Sequence, residues 1–199
     1  MTIIEMLLLL LAYLSGSIPF GYLLTKRSTG LNILEQGSGN IGSTNVGRIA
    51  GKKVAIAVQI LDMLKGLIPV GLVFLLQKLK VFDFPDYFIF FQAFTTIIGH
   101  DFSIFLRFRG GKGVNTTLGA TLLLAPLSVL CAVAVYYFIK WRFKYVSAGS
   151  LAIAITLTFA TIIFYPDHYL WAYLLACSCL IVIRHIPNLK RLRAGKELR

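Results

Sequence analysis

The sequence has 199 residues, of which 57% are apolar and only 14% are charged, and its mean hydropathy is +0.78. This composition excludes an ordinary soluble domain and is typical of a protein that lies in a membrane. The net charge is +12, but the basic residues form short clusters between apolar segments, which argues against a nucleic-acid partner. The three cysteines lie within apolar segments, so we expect neither a disulfide framework nor a paired metal site.

Five apolar segments have about the length of a membrane-spanning helix, which needs about 20 residues. The first contains Glu5 near its start and is followed by Lys26 and Arg27. This charge order predicts a retained span that begins outside the cell, not a cleaved signal peptide. The predicted spans are Ile3–Leu24, Val54–Leu76, Tyr87–Leu106, Val146–Tyr165 and His168–Ile186.

A sixth apolar segment, Val114–Ile139, contains Pro126, which interrupts a helix. The basic clusters that flank all these segments should lie in the cytoplasm, and two loops on one side are separated by an even number of crossings. We therefore predict two short helices that meet near Ala125 and Pro126; a re-entrant pair is the alternative. The expected fold is a single all-α membrane domain over residues 1–199, with seven spans, the N-terminus outside and the C-terminus cytoplasmic.

The first polar loop, Gly37–Arg48, is rich in glycine and in small hydrogen-bonding side chains. Its backbone N–H groups and the side chains of Ser43, Thr44 and Asn45 can surround an anion, with Arg48 as the counter-charge. The alternative is a connector in which a Ser or Asn only caps the next helix. The amount of donor chemistry beside a membrane favours an anion site.

The second loop reads Arg109-Gly110-Gly111-Lys112-Gly113 and leads into an apolar segment. Glycines let a phosphate approach the backbone, the N-terminus of the next helix contributes positive potential, and lysine adds a full charge. The pattern Gly-x-x-x-x-Gly-Lys-Ser/Thr is absent, so nucleotide hydrolysis is not indicated. The alternative is a positive cluster that only orients the chain in the membrane.

The C-terminal tail contains His185 and Asn188. Pro187 ends the last span and can start a short helix, which leaves His185 near the membrane surface. A histidine there can titrate near neutral pH or bind an oxyanion. The alternative is a capping residue before a basic tail that binds anionic lipid. Ser150 follows another basic cluster and is expected near the same face.

Asp62 and Lys65 lie three residues apart within the second predicted span. At this spacing both side chains fall on one face of a helix and can form an ion pair. Pairing lowers the free energy needed to hold the two charges in a bilayer. We therefore interpret the pair as structural.

Four separated segments together closely resemble the bacterial PlsY family of acyl-phosphate:glycerol-3-phosphate acyltransferases. They occur in the family's order across nearly the whole chain. This sequence departs from the family at Arg109, where Lys is frequent, and at Asn115, where Ala is usual. The segments are Ser17–Tyr22, Gly37–Arg48, Gly99–Thr116 and His185–Glu197.

The resemblance implies transfer of a fatty acyl group from acyl phosphate to the sn-1 hydroxyl of glycerol 3-phosphate. The products are lysophosphatidic acid and inorganic phosphate, in bacterial phospholipid biosynthesis. The resemblance also implies a multi-pass protein of the bacterial cytoplasmic (inner) membrane with its active site on the cytoplasmic side. We expect membrane lipid around it, no cofactor or metal, and no obligatory protein partner.

The expected roles follow from that reaction. Lys112, Arg48 and Arg109 neutralise the two phosphates, and glycine N–H groups position the phosphate that leaves. Ser43, Asn188 or backbone donors stabilise the charge on the carbonyl oxygen. Either His185 or a phosphate oxygen of the substrate takes the hydroxyl proton. The expected catalytic residues are Ser43, Lys112, His185 and Asn188, and the expected substrate-binding residues are Thr44, Asn45, Arg48, Arg109, Gly110, Gly111, Gly113 and Ser150.

A small transporter for phosphorylated metabolites is the competing interpretation, because glycine-rich loops also form binding sites at broken helices. A carrier places its site near the middle of the membrane, whereas the predicted donors all fall on one face. This placement favours the enzyme. We therefore expect Ser43, Lys112 and His185 to converge in one electropositive cavity beneath the inner leaflet.

Overall fold

The computed structural model describes residues 1–198, and no β-strand occurs in that range. The described chain divides into two compact units, Met1–Ala120 and a second that begins at Thr121. A single domain over the whole chain stays a prediction. The helices are α1 (Ile3–Ser17), α2 (Phe20–Thr29), α3 (Ser43–Ala50), α4 (Lys52–Lys78), α5 (Phe88–Asp101), α6 (Val114–Thr121), α7 (Pro126–Phe143), α8 (Val146–Phe164), α9 (His168–Arg184) and α10 (Ile186–Arg193).

Five helical segments in residues 1–198 are long and apolar enough to cross a membrane, or six if α9 and α10, which are bent by 52°, form one span. The all-α membrane architecture is therefore confirmed, and the count of seven spans and the placement of the termini stay predictions. The helix break predicted near Pro126 is present, because α6 ends at Thr121 and α7 begins at Pro126. Only α6 is short: its eight residues cover about 12 Å, less than half of a hydrocarbon core.

α7 is longer than the sequence analysis predicted, with 18 residues. Pro126 is its first residue, a position where the missing N–H has no helical partner to lose. At the other end the helix continues past the apolar segment through Lys140 and Arg142. These cations are favourable in the last turn because they face the negative end of the helix dipole.

The first predicted span consists of two helices, because Pro19 cannot donate a helical hydrogen bond and its ring clashes with the preceding turn. The break exposes backbone carbonyls that need other donors in a membrane. The Ser103 hydroxyl donates to the Ser17 carbonyl at 2.5 Å, and Lys65 Nζ donates to the Ile18 carbonyl at 2.9 Å. The break is therefore built into the packing of the first unit.

Glycines bring helices of the first unit into backbone contact. A Cβ atom on Gly16 of α1 would overlap the carbonyl oxygen of Thr96 in α5, and a Cβ atom on Gly66 of α4 would overlap that of Thr116 in α6. Close approach of this kind gives the dispersion contacts that hold helices together in lipid. α4 also contacts α1, α2, α3 and α5, so it forms the centre of this unit.

In the second unit, α7 packs on α8, α8 on α9, and α9 on α10. Paired hydroxyls connect the neighbouring helices. Thr161 Oγ1 of α8 donates to Ser128 Oγ of α7 at 2.8 Å, and Thr158 of α8 and Ser178 of α9 share a 2.8 Å hydrogen bond. Each pair keeps polar groups satisfied inside an apolar bundle.

Candidate active site

Asn45 holds the first loop in one shape. Its Nδ2 donates to the backbone carbonyls of Gln36 and Asn40, both at 3.0 Å, and its Oδ1 accepts from the N–H of Ser38 at 3.0 Å. The residue is buried. Both amide hydrogens thus bond to the loop, and the expected contact with an anion would require one of these bonds to break. The structure gives Asn45 a loop-shaping role.

A hydrophobic cluster fixes α3 against α4 below this loop. Its members, Ile33, Ile41, Val46 and Val58, are at most 1% exposed. The cluster sets the position of the N-terminus of α3, which Gly42 precedes without a side-chain cap. The positive end of the helix dipole therefore lies at a fixed place in the first unit.

The two glycine-rich loops meet at Asn115 and Ser43. Asn115 Nδ2 donates to Ser43 Oγ at 3.3 Å. Ser43 is the first residue of α3 and Asn115 the second of α6, so the N-termini of both helices lie side by side and their positive potentials add. Sequence reasoning noted Asn115 only as a departure from the family. Its place in the first turn after a glycine loop was the signal that could have identified it.

Gly110 and Gly111 fix the second loop against the end of α5. The N–H of Gly110 donates to the Asp101 carbonyl at 3.2 Å, and the N–H of Gly111 donates to the His100 carbonyl at 3.0 Å. A Cβ atom on Gly110 would overlap the His100 carbonyl oxygen, and one on Gly111 would overlap the imidazole. The two N–H groups expected to hold the leaving phosphate are therefore bonded to the protein, and both glycines serve close packing.

Gly113 turns the chain from this loop into α6. Its φ of +73° lies in the left-handed region, which residues with a Cβ rarely adopt. Lys112 lies two residues before the first residue of α6, near the positive end of the helix dipole. Arg107 and Phe108 also have positive φ, 53° and 63°, so the loop follows a locally strained stretch of backbone.

The other expected residues of the first unit lie at its surface. Thr44, Arg48 and Arg109 are exposed, and Ser43 and Lys112 are partly exposed. These hydroxyls and cations are therefore not covered by the rest of the described chain. Among the described residues, no group of three or more His, Cys, Asp or Glu side chains is placed to hold a metal ion.

In the second unit, His185 lies at the junction of α9 and α10 and is 2% exposed. Its Nδ1 is 2.8 Å from the carbonyl oxygen of Ile181. Because a carbonyl oxygen only accepts, Nδ1 carries the proton, and in the neutral ring Nε2 carries the lone pair. The junction thus fixes which nitrogen can act as a base.

Asn188 and Arg191 bind the same carboxylate. Asn188 Nδ2 donates to Glu197 Oε1 at 2.5 Å, and Arg191 Nε donates to Glu197 Oε2 at 2.8 Å. Burial acts to raise the pKa of Glu197, but the hydrogen bonds from these two side chains, with smaller contributions from Ser147 and the charge of Arg191, hold the pKa below its ordinary value. Sequence reasoning assigned Glu197 no role; it closes the tail back onto α10.

Ser150 is buried in α8, and its hydroxyl donates to the Val146 carbonyl of the same helix at 3.1 Å. Any contact with substrate would therefore use its oxygen as an acceptor. Ser150, His185 and Asn188 belong to the second unit, and the other expected site residues belong to the first. Convergence of the two sets in one cavity stays a prediction.

The sequence matches the family model described as glycerol-3-phosphate acyltransferase over residues 6–195. A relative with that name from Clostridium acetobutylicum is 43% identical over 197 residues, which are 98% of this chain and 99% of the relative. Another from Geobacter sulfurreducens is 40% identical over 195 residues, which are 98% of this chain and 97% of the relative.

Two solved structures of PlsY, described as an integral membrane glycerol 3-phosphate acyltransferase, are similar to this fold. The glycerol 3-phosphate form has a TM-score of 0.89 and 34% identity, and the lysophosphatidic acid form has 0.86 and 33%. Each match covers 98% of this chain and 94% of the other. The agreement extends over nearly the whole length of sequence and structure, and the chain therefore belongs to the PlsY family of glycerol-3-phosphate acyltransferases.

Proposed function

We propose that this protein transfers a fatty acyl group from acyl phosphate to the sn-1 hydroxyl of glycerol 3-phosphate, giving lysophosphatidic acid and inorganic phosphate. The observation that carries the proposal is the contact between Ser43 and Asn115, which sets two helix N-termini side by side. Both substrates carry phosphate, and a helix N-terminus attracts such an anion. The names of the relatives and solved structures support glycerol 3-phosphate as the acceptor.

In this proposal the first unit binds the two phosphates. Lys112 and the N-terminus of α6 hold one phosphate, and Ser43 and Thr44 at the N-terminus of α3 hold the other. Arg48 and Arg109 supply further positive charge from exposed positions. Phosphate contacts of this kind use charge-assisted hydrogen bonds, which are roughly twice as strong as neutral ones.

The hydroxyl oxygen of glycerol 3-phosphate attacks the carbonyl carbon of the acyl phosphate. A new ester C–O bond forms, and the bond from that carbon to the phosphate oxygen breaks. Ser43 or Asn188 stabilises the negative charge on the carbonyl oxygen. His185 Nε2 takes the hydroxyl proton, or a phosphate oxygen takes it while His185 orients the acceptor. Acyl phosphate is already activated, so this route uses no metal, no cofactor and no covalent intermediate.

We place the reaction on the cytoplasmic side of the bacterial inner membrane, in a chain with seven membrane-embedded helices, an outer N-terminus and an inner C-terminus. The support is the clustering of cations at the ends of these helices, as at Lys140 and Arg142 of α7. The acyl chain and the product remain in membrane lipid. The proposed reaction requires no protein partner.

The choice of acyl donor tests this function. Purified protein in detergent is given glycerol 3-phosphate with palmitoyl phosphate, palmitoyl coenzyme A or palmitoyl-acyl carrier protein, and lysophosphatidic acid is measured by mass spectrometry. Of the three acyl donors, we expect only palmitoyl phosphate to give lysophosphatidic acid. Comparable product from either thioester would contradict the proposed donor. Uptake of glycerol 3-phosphate into vesicles without any acyl transfer would support the transporter instead.

A further inference from the structure

A buried charged network lies next to the second loop within the first unit. Asp62 Oδ1 is 3.0 Å from Lys65 Nζ and 3.7 Å from His100 Nδ1. Asp62 is 2% exposed, and Lys65 and His100 are each 4% exposed. The network therefore joins a carboxylate, an ammonium and an imidazole inside a candidate membrane span and the end of its neighbour.

One end of the network supports the loop itself. The His100 carbonyl accepts the N–H of Gly111 at 3.0 Å, and the His100 ring fills the space that a side chain on residue 111 would need. Gly113 lies against the next residue, since a Cβ atom there would be 3.2 Å from Asp101 Oδ1. His100 on one side of Lys112 and Asp101 on the other thus limit where the loop backbone can lie.

The other end of the network caps the break between α1 and α2 through Lys65 and the Ile18 carbonyl. This task alone does not explain a charged pair, because the neutral hydroxyl of Ser103 satisfies the adjacent Ser17 carbonyl. Charges within a membrane segment are costly and are retained where they serve a function. Lys65 Nζ also lies 5.7 Å from the centre of the Phe20 ring, and Asp62 lies beside the imidazole of His100, a contact that leads toward the second loop.

We propose that Asp62, held by Lys65, orients the His100 ring, and that His100 thereby sets the position of Lys112 through the Gly110–Gly113 loop. Asp62, Lys65 and His100 are positioning residues, since none of them has to touch substrate. The expected change in kcat and KM rests on the proposed acyl transfer, whereas the expected change in the backbone order of the Gly110–Gly113 loop does not. A displacement of about 1 Å at a phosphate-binding lysine can lower kcat/KM by up to about a hundredfold.

The test compares His100→Asn and Asp62→Asn with the control Gln92→Met. Gln92 lies in α5 like His100 and is equally buried, at 1% exposure, but lies two turns away from the loop. Backbone hydrogen exchange of the peptide over 108–113 is followed by mass spectrometry, together with kcat and KM for acyl phosphate. We expect exchange in that peptide to rise at least about tenfold in both network variants, because local opening becomes easier, and not in the control.

We also expect kcat/KM to fall about tenfold or more in the network variants, mainly through KM, while exchange in α7 and α8 stays unchanged. Wild-type exchange across the loop in both network variants, or equal loosening in Gln92→Met, would overturn the proposal. If His100→Asn does not fold, Asp62→Asn gives the same readout. If the wild type transfers no acyl group while the loop still loosens, the proposed function fails and the positioning network stands.

Discussion

At the scale of single residues, Lys112 carries the clearest electrostatic prediction. Replacing it with Met removes the full charge before α6 and leaves only the helix dipole, so kcat/KM should fall roughly 10²–10³-fold, as for loss of one preorganised group. Lys78→Met at the far end of α4 is the control and should leave the rate unchanged. Steady-state kinetics with acyl phosphate check both. Similar rates for the two variants would remove Lys112 from the site.

His185→Gln tests the route of the proton. If Nε2 is the base, as the Nδ1–H bond to Ile181 allows, kcat should fall about 10²–10⁴-fold with little change in KM. A modest loss with a raised KM would contradict the base and assign the proton to a substrate phosphate. His168→Gln is the control, since His168 is exposed at the start of α9.

Gly111→Ala tests the packing of the second loop. The added methyl group would overlap the His100 ring, so the loop must move, and a rate loss on the order of a hundredfold is expected. Gly30→Ala is the control: its φ of +74° makes alanine strained there, but no atom lies within 4 Å of the new Cβ. Enzyme kinetics on both variants show whether the loss of rate comes from the steric overlap with His100 or follows any substitution of a loop glycine.

At the scale of elements, the Glu197 carboxylate fastens the tail to α10. Its pKa in the folded protein is below the ordinary 4.5, so the ionised group stabilises the fold fully above that pH, and the contribution is lost as the pH falls through the folded pKa. Glu197→Gln should therefore cost about 1–2 kcal/mol at pH 7. Thermal unfolding of the wild type and the variant in one detergent should show that their difference in the free energy of unfolding shrinks below about pH 4. A difference that stays constant from about pH 7 to about pH 3.5 would contradict this.

The sequence predicts elements where one property dominates. Apolar length locates the spans because the bilayer demands it, and the glycine loops stand out by composition. The break at Pro19 is missed because the span is predicted from the length of the apolar segment, and this count takes no account of a single helix-breaking residue. The shortness of α6 is predicted, but the extension of α7 through Lys140 is not, since cations end an apolar segment without ending a helix.

The details of the site depend on contacts that sequence distance hides. Asn45 bonds to three loop groups, and Gly110 and Gly111 bond to the end of α5; nothing in the local pattern separates these structural uses from anion binding. The link from Asn115 to Ser43 joins residues 72 positions apart. The sequence therefore singles out these segments, and the structure shows which of their residues shape the loops; the substrate contacts stay a prediction.

At the scale of the whole molecule, the chain joins an apolar helical bundle, a net charge of +12 and two glycine-rich loops. In the proposed reaction the bundle keeps the acyl chain and product in lipid, while the cations attract the two phosphorylated substrates. Membership of the PlsY family supports this combination. The distinctive claim is direct transfer between the two substrates.

Release of phosphate from palmitoyl phosphate by the purified protein, with and without glycerol 3-phosphate, tests that claim most directly. Direct transfer predicts no release above the spontaneous rate without the acceptor, and one phosphate per lysophosphatidic acid when the acceptor is present. A burst of phosphate without the acceptor, or release with no lipid product, would contradict it.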